Sequence, residues 1–331
     1  MSAPGAFSSV LGSTLTPYLA LKQALGRGYA VERAVFHPLD AFLAAASADL
    51  TPATFAAWCH RFAHLSSGVR RNWMRVVRNL CLYRRRTDPT CCLPDPSQFP
   101  PPHQPVQPHI FAEAEITRLL GAAAALAPTP AAPLRPQAFR LATVLLYTTG
   151  LRRGELLRLT IGDYDRREGT LLIRASKFHK SRLLPLSADG VRELDGYLAA
   201  HRARRLPVAA ERPLLWHRAR GGQGYTGGGF GQGMRALLRA TGLRTAAGQP
   251  PRVHDFRHTF AVHALLRWYR AGGDVQAKLP WLATYMGHVS IVSTQDYLRF
   301  LDELAGVASA RFAGRCGALV TALPAAQGGV P

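Results

Sequence analysis

Apolar side chains recur along most of this chain at the three- and four-residue spacing of amphipathic helices. Leu15 to Leu25 predicts a first helix, stopped at Gly26 and Gly28, and a second pattern covers Pro38 to Ala46. Thr51 followed by Pro52 is an N-cap and first-turn pair, so a third helix is expected from there to about Ala63. A fourth runs from about Ser67 to Tyr83, with Trp73, Val76, Val77 and Leu80 supplying its buried side. Helical spacing returns over Ala112–Ala125, over Gln137–Tyr147 (closed by Thr149 and Gly150) and over Ala188–Arg202. Two Leu/Ile-rich arms, Thr170–Arg174 and Arg182–Leu186, flank a polar tip and predict one β-hairpin. The expected fold class is mainly α with a small antiparallel β-sheet.

Two stretches interrupt the pattern. Residues 94–108 read PDPSQFPPPHQPVQP. Proline fixes φ and removes a backbone donor, so this stretch predicts an extended, semi-rigid linker. It separates a helical domain over 1–93 from a second domain over 109–305, followed by an extension over 306–331. The run GGQGYTGGGFGQG, Gly221–Gly233, contains a formal GxGxxG. No acidic residue lies between Glu211 and Asp255, so the ribose-binding partner of a dinucleotide site is missing and that reading is rejected. The run reads instead as a flexible surface loop.

Charge narrows the choice of partner. In 331 residues, 41 Lys and Arg face 20 Asp and Glu, a net charge of +21. Such a field suits a polyanion, and double-stranded DNA is the expected one. Bases outnumber acids on both sides of the proline-rich stretch. In the fourth helix, Arg70, Arg71, Arg75 and Arg78 form a basic run, and Arg71, Arg75 and Arg78 share one face at i, i+4 and i+7. That stripe is expected to face phosphates. The scattered cysteines Cys59, Cys81, Cys91, Cys92 and Cys316 form no disulfide framework, which points to a reducing, cytoplasmic setting. No apolar run is long enough to cross a bilayer, and no basic residue precedes Lys22 as a signal peptide would require.

The chemistry concentrates between His254 and Tyr297. His254 and Arg257 stand at i and i+3 and open the helical FAVHALL pattern; Gly287 precedes His288, and Tyr297 follows. His254 and His258 have the i, i+4 spacing of a metal site, but Arg257 between them repels a cation and attracts an anion, so no metal is expected. A guanidinium grips phosphate oxygens, a histidine moves a proton near neutral pH, and a tyrosine can form a covalent intermediate. Upstream, TGLRRGELLRL places Arg152 in a turn with Glu155 three residues on, and the hairpin tip carries Lys177 and Lys180.

Arginine in TGLR-x-x-E, lysine at a hairpin tip, HxxR opening a helix, GH, then tyrosine: in this order the boxes resemble the tyrosine recombinase (phage integrase) family. The resemblance covers about 109–305, and more loosely the helical N-terminal part, which is similar to that family's core-binding domain. It implies a core-binding domain joined to a mixed α/β catalytic domain, together clamping duplex DNA. By resemblance, Arg152 and Arg257 are the catalytic arginines, Tyr297 is the nucleophile, and His254 and His288 fill the two histidine positions. Lys177 matches the hairpin lysine, with Lys180 the alternative at the same tip, and Glu155 supports the first arginine. The implied activity is site-specific recombination, of integrase or transposase type, through a 3′-phosphotyrosyl intermediate. It needs neither metal nor other cofactor and proceeds in a tetramer on DNA, with the extension after residue 305 docking in trans. The alternatives are strand cleavage and religation of the type IB topoisomerase kind, and a catalytically silent DNA-binding protein.

Overall fold

A computed structural model describes residues 7–102, 106–174, 181–218 and 224–288 of the chain. It divides into two compact units, 1–106 and 107–331.

The first unit is built on four helices, α1 (Gly12–Ala24), α2 (Ala30–Ala46), α3 (Pro52–His60) and α4 (Ser67–Arg84). Thr51 caps α3 as its sequence predicts, its hydroxyl accepting from the Thr54 N–H at 3.1 Å. Phe36, Leu39, Leu43, Trp58, Val77 and Leu80 are buried at the centre. Bidentate donation from Arg84 to Asp49, both bonds 2.6 Å, ties the end of α4 to the turn before α3. The start of the proline-rich stretch packs onto this unit. Residues 96–98 make one 3₁₀ turn, and Phe99 is buried in the helical core. Arg71 donates to the Pro100 carbonyl at 2.6 Å and Arg78 Nε to the Pro94 carbonyl at 3.1 Å. The first part of the stretch expected as an extended, semi-rigid linker thus packs on the helical unit. A proline run offers carbonyls without competing N–H groups, and the arginines of α4 take them.

The second unit wraps helices around α6 (Arg135–Thr149), most of whose side chains are buried. Around it stand α5 (Glu113–Ala124), α8 (Ala188–Ala203), α9 (Gly227–Ala240), α10 (Asp255–Arg270) and α11 (Val275–Met286), with a short α7 (Arg153–Leu156) after its C-terminus. A three-stranded antiparallel sheet, β1 (Tyr164–Asp165), β2 (Thr170–Ile173) and β3 (Arg182–Pro185), is ordered β1-β2-β3. Its register pairs Leu171 with Leu184 and Ile173 with Arg182, which turns Leu171, Ile173 and Leu184 into the core. The hairpin is the expected one. The two-residue β1 is too short to leave a periodic signal.

One expectation fails. The glycine-rich run is not a surface loop throughout, because α9 starts at Gly227, capped by the Thr226 hydroxyl on the Gly229 N–H at 3.0 Å. Phe230, Met234, Leu237 and Leu238 fall on one buried face and outweigh the helix-weakening glycines. One of those glycines is needed for packing: a Cβ on Gly233 would lie 2.3 Å from Phe139 Cζ. The helix before Gly287, α11, also goes beyond what the pattern assigned.

Candidate active site

Two helix ends in the second unit create the site. Gly150 closes α6 with φ +62°, and Gly287 closes α11 with φ +67°, a backbone region that side chains disfavour. At the second end the His288 N–H donates to the Ala283 carbonyl at 2.8 Å and the Gly287 N–H to Thr284 at 3.0 Å, a Schellman cap. Carbonyls of a last helical turn lack intrahelical donors and carry the negative end of the helix dipole. Two arginines take them. Arg257, on the first turn of α10 and 2% exposed, donates to the Gly150 carbonyl at 2.7 Å and the Met286 carbonyl at 2.8 Å. Arg152, preceding α7, donates to Met286 at 3.4 Å and Gly287 at 3.0 Å. Residues 105 positions apart thus converge on one carbonyl, which fixes the plane of each guanidinium.

Beneath Arg152 lies Glu155, 3% exposed. It accepts from the Arg152 N–H at 3.0 Å and from Arg152 Nη1 at 2.9 Å. Arg182 at the base of β3 adds two bonds, at 3.3 and 3.0 Å, while its Nε donates to the Tyr285 carbonyl at 2.8 Å. Burial by itself would raise the Glu155 pKa. The hydrogen bonds from Arg182, then those from Arg152, override it and hold the carboxyl down at about 2. Arg182 therefore couples hairpin, α7 and the end of α11 through one carboxylate. The sequence reading missed it, because an arginine in a strand looks like any other among 41 basic residues.

The histidines ring the same point. His254 sits at the N-cap position of α10, its ring packed edge-on against His258 at 4.8 Å between centroids. The protein around it, then the charge of Arg257, lower its pKa. Burial and then His254 bring His258 down to about 4, and burial followed by Arg257, Arg152 and Arg182 brings His288 to about 3. At neutral pH all three rings are uncharged, so His254 can accept a proton and the site's positive charge resides on arginines. Asp255, 1% exposed, is occupied by Arg252, with bonds of 2.8, 3.2 and 2.9 Å from its N–H, Nε and Nη2.

Of the residues singled out from sequence, Arg152, Glu155, His254, Arg257 and His288 come together here. Lys177, Lys180 and Tyr297 lie outside the described residues, as does the extension after residue 305. Arg70, Arg71, Arg75 and Arg78 belong to the first unit; Arg75 is exposed and donates to Asn72 Oδ1 at 2.9 Å, and the other three are half-buried. Among the described residues no cluster of three or more His, Cys, Asp or Glu could hold a metal ion, and no helix is long and apolar enough to cross a membrane.

Fixed cations beside neutral imidazoles have the chemistry to receive an oxyanion, and known proteins with similar sequences and folds narrow the candidates. The model of the phage integrase family matches residues 110–303. A putative integrase/recombinase of Sinorhizobium fredii, y4rB, is 32% identical over 299 residues, covering 89% of this chain and 95% of that protein. The fold is similar to the Tn1549 transposon integrase in complex with transposon right end DNA, with TM-score 0.58 at 16% identity over 86% of this chain and 94% of that one. A lambda integrase dimer bound to a core site matches with TM-score 0.55 at 18% identity, over 87% and 76% of the two chains.

Proposed function

This chain belongs to the phage integrase family and is a site-specific DNA recombinase, and from that premise we infer which residues carry the strand transfer and how. The observation that carries the reading is the convergence of Arg152 and Arg257 on the carbonyls at Gly150, Met286 and Gly287. A phosphodiester resists nucleophiles because of its own charge. Two guanidiniums held rigidly at its nonbridging oxygens stabilise the additional charge of the pentacoordinate transition state. No bound metal is required in this scheme.

Tyr297 supplies the nucleophile. A phenol with a reference pKa near 10 needs help in losing its proton, and His254, uncharged at neutral pH, accepts it. The Tyr297 oxygen forms a bond to phosphorus as the bond to the 5′-oxygen breaks. Lys177, or Lys180 at the same hairpin tip, gives that oxygen a proton. His288, whose ring lies within reach of the charges of Arg257 and Arg152, supports the same phosphate. The product is a 3′-phosphotyrosyl link, and a second strand's 5′-hydroxyl reverses the steps to rejoin the DNA.

The helical unit acts as the core-binding domain, with the exposed part of the α4 arginine face against phosphates. Recombination proceeds in a homotetramer in the cytoplasm, with the residues after 305 docking on a neighbouring protomer. A nicked suicide duplex tests the chemistry: the wild type should form a covalent complex that survives denaturation and is indifferent to EDTA. Tyr297→Phe should bind the duplex and form none. Covalent product from Tyr297→Phe, or loss of the wild-type covalent complex in EDTA, would refute this assignment.

A further inference from the structure

Beside His254 opens a cavity of about 580 Å³ whose walls include Arg153, Gly231, Arg235, Arg239 and Arg252, and no carboxylate lines it. Two of these arginines are accounted for. Arg252 pairs with Asp255, and Arg239 Nε folds back on the Arg235 carbonyl at 3.2 Å. Arg153 and Arg235 make no ion pair among the described residues, yet both bring a guanidinium nitrogen to the same glycine. A Cβ on Gly231 would lie 3.1 Å from Arg153 Nη1 and 3.5 Å from Arg235 Nη1. Two guanidinium ends therefore lie over bare backbone near the start of α9, where glycine weakens a helix. Like charges brought together repel each other, and an anion between them removes the repulsion. A tetrahedral oxyanion matches two guanidinium forks approaching from different elements.

We propose that Arg153 and Arg235, across Gly231, form a seat for a second phosphodiester of the DNA backbone, beside the one gripped by Arg152 and Arg257. The seat rests on the reading of the substrate as DNA. It shares His254 as a wall with the catalytic cluster, and Arg153 follows Arg152 in the chain, so both arginines of that turn would read one strand. It also gives the glycine-rich start of α9 a purpose: a side chain at position 231 would fill the seat.

The test is the salt dependence of affinity for a short fluorescent duplex of mixed sequence, followed by anisotropy. The slope of log K against log salt is about −0.9 per neutralised phosphate. Arg153→Gln/Arg235→Gln should be shallower than wild type by about 0.9, and each single variant by no more than that, because both serve one phosphate. Arg153→Lys/Arg235→Lys should keep the wild-type slope, since the charge remains. Gly231→Glu, which places a carboxylate between the guanidiniums, should reproduce the Gln double variant. An unchanged slope in the Gln double variant or in Gly231→Glu overturns the seat. So does a decrease of about 1.8 in the Gln double variant, which means two separate phosphates. A wild type that does not bind duplex takes both the seat and the recombinase reading down. One that binds but never links covalently removes only the catalytic assignment.

Discussion

Glu155→Gln isolates what one buried carboxylate does for the site. The substitution keeps the shape and removes the charge that Arg152 and Arg182 share. The wild-type carboxyl is held at about 2 against an ordinary value of 4.5, so the folded protein favours the ionised form by roughly 3 kcal/mol, at about 1.4 kcal/mol per pKa unit. Because the folded pKa lies below the unfolded one, this stability is complete above about pH 4.5 and is lost as pH falls toward 2. Glu155→Gln should therefore destabilise the second unit by roughly 3 kcal/mol at pH 7, and by less than half of that at pH 3. Hydrogen exchange in urea, followed on peptides from α6 and α10, reports this unit separately from the helical one. Strand cleavage should also fall, since the Arg152 guanidinium loses one of its fixed acceptors, but less than in Arg152→Ala, because the Met286 and Gly287 carbonyls remain. A variant as stable as wild type at pH 7, or a deficit of the same size at pH 3, would show that the carboxylate is not held by these arginines.

Other outcomes follow from the same geometry and chemistry. Gly287→Ala forces a side chain into φ +67° and places its Cβ 2.7 Å from Arg182 Nη1, so it should cost at least about 1 kcal/mol and reduce cleavage more than duplex binding. Equal losses in both would mean that the α11 end does not position the arginines. Lys177→Ala should slow cleavage of ordinary DNA by roughly 10²–10⁴-fold and recover most of that loss when sulfur replaces the scissile 5′-oxygen, because a thiolate leaves without a proton. If Lys180→Ala is rescued in its place, the acid sits further along the tip; rescue of neither removes the hairpin from the proton transfer.

Most of the helices, the hairpin and the boxes of chemistry were legible in the sequence alone, because each is a local matter. Thr51-Pro52 caps a helix through contacts within its own first turn, Gly150 and Gly287 stop helices in a backbone region that glycine favours, and the order of Arg152, His254, Arg257 and His288 is legible without coordinates. What the tertiary structure decided is long-range. Phe139 requires Gly233 inside a helix, and the hydrophobic face of α9 converts a glycine-rich stretch that reads locally as loop. Arg71 and Arg78 turn part of a presumed linker into a strap, because proline carbonyls need donors that the linker itself lacks. Arg182 emerges from a background of like residues only when β3 sets it against Glu155 and the end of α11. A local pattern records which backbone a residue prefers; which carbonyl or carboxylate a guanidinium meets across the fold depends on packing that no single stretch contains.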